Sequence, residues 1–461
     1  MAYFTLEKCK MIQRKLDKLI ANHYDNSKSA LLLKGARQVG KTFAIRRYAE
    51  EKSLKLVEIN FFQEPSAKSI FEGAKDVKEV LLRLSAYTHE ELIPGKTLVF
   101  FDEVQKAPEI VTWIKFLVDE GSYRYALSGS LLGVEIKNIK SVPVGYMDVI
   151  DVYPLDLEEF SRAVGISEKV LEHIRQAWND KTEVDKVVHE TMMRVVSLYL
   201  LVGGMPAAVQ AYIDTNNMQA VQQKQKEILE LYRWDISQYD SDNKLYINDI
   251  FEVLPSELNA KNKRFVLKNL NEHSRFSRYE NGFVWLKDAG VTLPTYNVSA
   301  PTVPLKLEEQ RNLFKLFQND VGLLAVQYAD GTALRILSGE TNLNFGAIFE
   351  NLVAQELKAH GYNLYYFNSK KQGEVDFLLE NDMHLIPLEV KSGKDYERHR
   401  ALSNIMDYEP YGLTKAYVLT TDNVKMSGKL CYLPIYMLMF MCKKCSSSSM
   451  IYKLDLPKML D

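Results

Sequence analysis

A chain of 461 residues, 46% hydrophobic and 26% charged, has room for roughly three domains and is neither disordered nor fibrous in composition. A net charge of −2 excludes whole-surface attraction to nucleic acid, so any DNA or RNA contact must come from local patches. Four cysteines in this length, with Cys9 and Cys431 far from any other, indicate a reducing compartment, and Cys442-x-x-Cys445 lacks the second pair that would complete a zinc site.

The N-terminus "MAYFTLEKCKMIQRKLDKLI" spreads charge through its apolar residues and has no signal-peptide core. The longest apolar run, "YLPIYMLMFMC", is well short of the roughly 20 residues of a membrane-spanning helix. It reads as a buried strand entering a polar tail at 443–461. A cytoplasmic protein with no membrane partner is expected.

The first strong signal is "ALLLKGARQVGKTFAIRRYAE". An apolar strand from Ala30 to Leu33 runs into Gly35-Ala36-Arg37-Gln38-Val39-Gly40-Lys41-Thr42, and a helical pattern follows. This is G-x-x-x-x-G-K-[ST] in its strand–loop–helix setting. The glycines let backbone N–H groups turn toward phosphate oxygens, and the helix N-terminus adds its dipole. Lys41 is expected to reach the β- and γ-phosphates of ATP, and Thr42 to hold Mg²⁺.

A nucleotide hydrolase needs an acidic strand end, and "KTLVFFDEVQKAP" supplies one. Leu98 to Phe101 form a buried strand, Asp102 is expected to bind Mg²⁺ through water, and Glu103 to orient and deprotonate the attacking water. A third strand, "YRYALSGS", ends at Ser128, which either senses the γ-phosphate or merely closes the strand. An ATPase core over 1–155 is predicted.

Residues 156–240 read as a helical lid, with apolar spacings of three and four in "TMMRVVSLYLLVGG". Gly203-Gly204 and Pro206 break and restart the helix. From 241 to 332 the pattern becomes two short helices in "LPSELNAKNKRFVLKNL", another in "SRYENGFVWLKDAGV", and a Pro-rich hairpin in "TLPTYNVSAPTVPLKL". Helices followed by a β-wing resemble a winged helix. Lys261, Lys263, Arg264 and Lys268 cluster there, either to bind phosphates or as the solvated face of an architectural domain.

Residues 333–442 give the helix "NFGAIFENLVAQELKAHG", with Glu350 near its start, then strands "LYYFNSK", "GEVDFLLE" and "HLIPLEVKSGK", the last two joined by a turn. Helix, strand and hairpin with Asp376 and Glu389-x-Lys391 resemble the PD-(D/E)xK nuclease core. Asp376 and Glu389 on neighbouring strands can converge on one or two Mg²⁺ ions. Lys391 lies two residues beyond Glu389 and can position the attacking water or offset developing charge, and Glu350 can add a ligand from the helix. Activity does not follow from such a fold, so a binding-only relic stands beside the nuclease reading.

The loop, acidic strand and polar strand, then "VYPLDLEEF", "LLVGGMPAAVQAY", "WLKDAGV", "FKLFQNDVGLL" and "FGAIFENLVAQEL", together resemble bacterial AAA-type ATPases with an uncharacterised C-terminal region, over about residues 15–440. The resemblance implies an α/β protein: a P-loop AAA-type ATPase with a helical lid, a middle winged-helix-like domain and a C-terminal restriction-endonuclease-like domain. Many relatives place Gly-Arg shortly before "PL", whereas this chain has Gly145-Tyr146, which leaves the source of an arginine finger open, with Arg37 inside the loop as one substitute. Two functions are expected. One is an ATPase coupled to Mg²⁺-dependent cleavage of nucleic acid, DNA foremost, as a monomer or homo-oligomer. The other is an ATP-dependent regulator or scaffold whose C-terminal domains only bind DNA or a protein.

Overall fold

Alternate residues of the apolar run Thr97–Asp102 point into two different cores, as an interior strand of a layered sheet requires. Leu98 and Phe100 join one cluster, and Val99 and Phe101 the other. The structure is a computed structural model that describes residues 12–130, 145–238, 244–260, 263–266, 276–328, 346–381, 383–393 and 395–443.

Strands β1 (Ala30–Lys34), β2 (Lys55–Asn60), β3 (Thr97–Asp102), β4 (Arg124–Gly129) and β5 (Met147–Asp151) form a parallel sheet in the order β2-β3-β4-β1-β5. Helices α1 (Lys15–Asn26) and α2 (Lys41–Glu51) bury Leu16, Ile20, Ala44 and Ile45 against one face. Helices α3 (Val77–Thr88) and α4 (Glu109–Glu120) bury Val80, Leu84, Ile110 and Ile114 against the other. The connections through α2, α3 and α4 thus cross over between parallel strands, and the C-terminal ends of β1, β3 and β4 meet at one edge.

Five helices follow: α5 (Leu157–Ala163), α6 (Glu168–Asp180), α7 (Lys186–Val202), α8 (Pro206–Thr215) and α9 (Met218–Gln238). Asp156 caps α5 in a capping box with Glu159. The chain turns by 120° between α7 and α8 at the Gly-Gly pair. Leu155 N donates to Gly204 O at 2.7 Å, so the lid is stitched to the end of the ATPase core. A Cβ on Gly204 would lie 2.0 Å from Leu155 O. Gly204→Ala is therefore expected to cost about 3 kcal/mol, read as a lower midpoint of chemical unfolding; an unchanged midpoint would mean that this turn opens freely. Among the described residues no single helix is long and apolar enough to cross a membrane.

Beyond the lid come α10 (Lys244–Asn259), α11 (Phe276–Asp288), β6 (Thr292–Val298), β7 (Glu309–Gln318), α12 (Val321–Ala325), α13 (Gly346–Ala359), β8 (Tyr365–Ser369), β9 (Gly373–Asn381), β10 (His384–Val390), α14 (Arg400–Met406), β11 (Ala416–Thr420), β12 (Lys425–Ser427) and β13 (Leu430–Pro434). One mixed sheet takes all eight strands in the order β12-β13-β11-β10-β9-β8-β6-β7. Helix α13 is buried at every residue from Ala347 to Leu357, because the sheet, the lid and α10 surround it.

Three expectations change here. The expected wing is the edge of the C-terminal sheet, since β6 pairs antiparallel with β7 and parallel with β8. A boundary at 332/333 therefore falls between strands of one sheet; alternation shows that a strand exists but not which strand it joins. The "LPSELN" stretch closes the longer helix α10 around Pro255, and Lys263–Val266 is not helical. "YLPIYMLMFMC" is strand only to Pro434, after which Ile435–Phe440 form a buried 3₁₀ turn against the lid. Cys9, Cys445, Lys261, Lys268, residues 333–345 and the tail from 444 lie outside the described residues.

Candidate functional site

The sheet edge gathers Lys41, Thr42, Asp102, Glu103 and Ser128. Gly35 is required by close approach, since a Cβ there would lie 2.2 Å from Val152 O. Gly40 takes a positive φ of 94° and opens α2. Lys41 Nζ donates to Gly35 O at 2.9 Å and Ala36 O at 2.7 Å, so the loop's own carbonyls hold the ammonium inside the loop. Burial lowers its pKa to about 8, with Glu103 and Asp102 opposing.

Thr42 Oγ1 donates to Asp102 Oδ2 at 3.0 Å, the pairing expected of two residues that share a Mg²⁺ ion. These two oxygens fit that ion, whose role is to bridge and neutralise phosphate oxygens. Asn60, in register with Asp102 on the next strand, donates to the same oxygen at 3.1 Å. Ser128 donates to Asp102 Oδ1, so in this arrangement it steadies the acid. Glu103 sits at a positive φ of 57°, with Gln105 and Ser130 both donating to Oε2. Strand alternation would place its side chain on the face opposite Asp102; the residue is instead left-handed and lines the cavity. That cavity, about 800 Å³, runs from Lys41 and Glu103 to Ile12, Leu155, Pro206 and Leu231, enough to hold a nucleotide with its ring against apolar walls.

Arg37 is held by Asp235 at 2.9 Å and lies over the Phe62 ring at 5.6 Å. In this arrangement it points to α9. Its carbonyl accepts from the Tyr232 hydroxyl at 3.3 Å, and that hydroxyl accepts from Asn319 Nδ2 at 3.2 Å. Asn319 directly follows β7, so two hydrogen bonds join the phosphate loop to the C-terminal sheet. Arg14 adds a further tie, donating to Val39 O at 3.2 Å and Tyr153 O at 2.8 Å while pairing with Glu159 at 3.2 Å.

The C-terminal acids also come together. Asp376 lies in a one-residue bulge of β9, where Tyr365 faces Leu378 but Phe367 faces Val375. Its Oδ2 accepts from Val390 N at 2.8 Å, beside Glu389. Lys391 Nζ is 2.7 Å from Glu389 Oε1. Glu350 pairs with Lys263 and, at 3.4 Å, with Lys315. Lys315, buried on β7, also lies 2.7 Å from Glu374 and 3.9 Å from Asp376.

The charges explain the titration. Burial alone would depress the Lys315 ammonium, but Glu350, Asp376 and Glu374 outweigh it and raise its pKa. Burial would likewise raise Glu350, but Lys315 and Lys263 lower it. Asp376 is raised by burial and by Glu350 and Glu389, and Glu389 is raised by burial despite Lys391. Four carboxylates thus enclose three ammonium groups. Among the described residues no group of three or more His, Cys, Asp or Glu has the arrangement of a metal site. As arranged, the cluster does not fit a Mg²⁺ ion, because lysines stand where the cation would.

Lys315, Lys263 and Glu374 were not foreseen as members of this cluster. Neither were Asn60, Gln105 and Arg14 around the nucleotide cavity. Lys315 carried one signal, a lone lysine inside "LFKLFQ", where both faces of the strand prove to be covered.

A parallel sheet whose first strand feeds a glycine loop, a buried lysine and a helix N-terminus, with an Asp-Glu strand end beside it, defines a P-loop nucleotide-binding domain. Residues 27–161 match the AAA domain family, which makes this segment a P-loop ATPase domain that binds ATP. Residues 193–333 and 345–438 match two domains of unknown function, DUF8612 and DUF4143. The first of these starts inside α7 and so takes in most of the lid as well as β6 and β7. No curated protein matches the chain. Among solved structures the chain is similar to the Walker-type ATPase PABY2304 of Pyrococcus abyssi, at 15% identity over 69% of this chain and 96% of that one, with a TM-score of 0.41. It is similar to the Aeropyrum pernix Orc1 protein in complex with DNA at 16% identity, over 71% of this chain and 91% of that one, with a TM-score of 0.26. For Cdc6p from Pyrobaculum aerophilum the values are 15%, 72%, 96% and 0.26.

Proposed function

We propose that the protein is an ATP-driven switch, in which binding and hydrolysis of Mg-ATP at the phosphate loop set the arrangement of the C-terminal sheet and thereby its grip on nucleic acid, DNA foremost, or on a protein. The observation that carries this reading is the Arg37–Tyr232–Asn319 chain of hydrogen bonds. Phosphate seated among the loop amides must draw Lys41 off the Gly35 and Ala36 carbonyls, and the loop's outer carbonyl is the one bonded toward β7. A ligand shifts such an equilibrium only through its different contacts with the two states, and these carbonyls supply the difference. Lys41 positions the phosphates, Thr42 and Asp102 hold the Mg²⁺ that neutralises them, and Glu103 takes the proton of the attacking water.

A second reading, metal-dependent phosphodiester cleavage by a restriction-endonuclease-like domain, is favoured by one observation. Glu389 Oε2 is buried and has no hydrogen-bond partner. The lysines among the acids weigh against it and toward a domain that binds without cutting. The two readings separate when DNA and RNA panels are incubated with Mg²⁺ or Mn²⁺, with and without ATP. The expected result is no cleavage above the Glu389→Ala background, together with a nucleic-acid affinity or protease pattern that differs between apo protein and ATP-loaded Glu103→Gln. Cleavage lost in Glu389→Ala would establish the second reading, and identical behaviour of apo and ATP-loaded protein would end the first.

A further inference from the structure

Behind the phosphate loop, between the two sheets, lies a second cavity of about 400 Å³, distinct from the nucleotide cavity. Lys34 at the end of β1, Lys287 in the last turn of α11 and Lys358 in the last turn of α13 all line it. No carboxylate lies within 4 Å of any of the three ammonium groups among the described residues, whereas Lys306 in the same wall is paired with Glu309 at 2.7 Å. Asp151, exposed, and Asp288, part-buried, line the same wall without forming such a pair. A helix C-terminus favours a lysine, which accounts for Lys287 and Lys358 singly. It does not account for their convergence with Lys34 on one cleft, which costs like-charge repulsion. The Lys358 ammonium is depressed chiefly by burial; Asp151 opposes this, and Lys287 and Lys34 add smaller contributions in the same direction as burial.

Three ammonium groups with no carboxylate within 4 Å among the described residues, around a cleft large enough for a small molecule, call for an anion with several negative oxygens. The lining also includes Tyr153, Tyr296 and Tyr365, aromatic side chains that suit a planar ring. We infer that this cleft is a second anion site, which takes a phosphate-bearing small molecule: a nucleoside phosphate or an inorganic oligophosphate. Because Gly35 and Ala36 form part of its wall, its occupant would touch the loop from the face opposite ATP.

The test is calorimetric titration of the full chain, its ATP site first saturated with Mg²⁺ and a non-hydrolysable ATP analogue. Pyrophosphate is the probe in one arm and guanosine monophosphate in the other. One equivalent is expected to bind in at least one arm, and the Lys287→Gln/Lys358→Gln protein to bind at least tenfold more weakly. Affinity for the ATP analogue itself should change less than twofold. Tighter binding of the nucleotide assigns the tyrosine walls to its ring, and tighter binding of pyrophosphate assigns the site to oligophosphate. Should the double variant fail to fold, exposed Lys287→Gln alone is expected to weaken binding about fivefold. Absence of binding to the wild type in both arms, or undiminished binding to a folded glutamine variant, overturns the inference.

Discussion

Glu103→Gln is expected to bind ATP within a few-fold of the wild type and to hydrolyse it about 10²- to 10⁴-fold more slowly, the range associated with loss of a positioned general base. Asp102, Thr42 and Asn60 remain to order the Mg²⁺ side of the site, and the amide of glutamine can still accept from Gln105 and Ser130. Lys41→Ala should instead fail at binding, by about 100-fold, since charge-assisted bonds to phosphate of about 3 kcal/mol are lost. The wild type carries a pH signature of the same lysine. Its apo pKa is lowered to about 8, and phosphate favours the charged form. ATP affinity should therefore be flat below pH 8 and fall as pH rises above it, about tenfold per unit at most, because free protein then loses the proton that the complex keeps. Isothermal titration in buffers of different ionisation enthalpy reads this directly as proton uptake on binding. An affinity independent of pH between 7 and 9.5, or unchanged turnover by Glu103→Gln, would remove these residues from the roles given to them.

The ATPase half was legible because its chemistry is contiguous. Eight residues from Gly35 to Thr42 contain the turn, the cation and the helix start, and Asp102-Glu103 follow an unbroken apolar strand. Asn60 was not legible because its relevance comes from strand order, which places β2 beside β3 and no local pattern announces. The acids at 350, 376 and 389 were legible as types at suggestive spacings, and the structure does bring them together with Lys391. What they meet there was hidden. The β9 bulge that aims Asp376 has no glycine or proline to mark it, and Lys315 sits in a strand whose alternation looks like an ordinary half-exposed edge. Its burial arises because α13 covers that edge, a contact made across a gap of about thirty residues of sequence. The wing failed for a related reason: hairpins are encoded locally, but the sheet that adopts them is not.

Lys315→Met is expected to be the most damaging single change outside the nucleotide site, and its pH dependence should say why. The substitution keeps most of the side-chain volume but removes the ammonium that lies between Glu350, Glu374 and Asp376. Stripping one partner from a buried ionic cluster typically costs about 3–5 kcal/mol, because the remaining charges are neither solvated nor paired. In the wild type Asp376 already holds its proton more tightly than an unfolded aspartate does, through burial and repulsion from Glu350 and Glu389. Without Lys315 that tendency must strengthen and extend to Glu350, whose pKa Lys315 and Lys263 now hold down. A carboxylate with a raised folded-state pKa contributes stability that is fully present below its unfolded value and is lost as pH rises through the folded one. The loss caused by Lys315→Met should therefore be smallest near pH 4 and grow toward pH 8. Neutralising an acid should repair part of the damage, so Lys315→Met/Glu350→Gln is expected to be more stable at pH 8 than the sum of the two single changes predicts. Chemical unfolding of the four proteins at both pH values decides the matter. Additive effects, or a penalty that does not change with pH, would mean that Lys315 fills space in the sheet and that the acids do not depend on its charge.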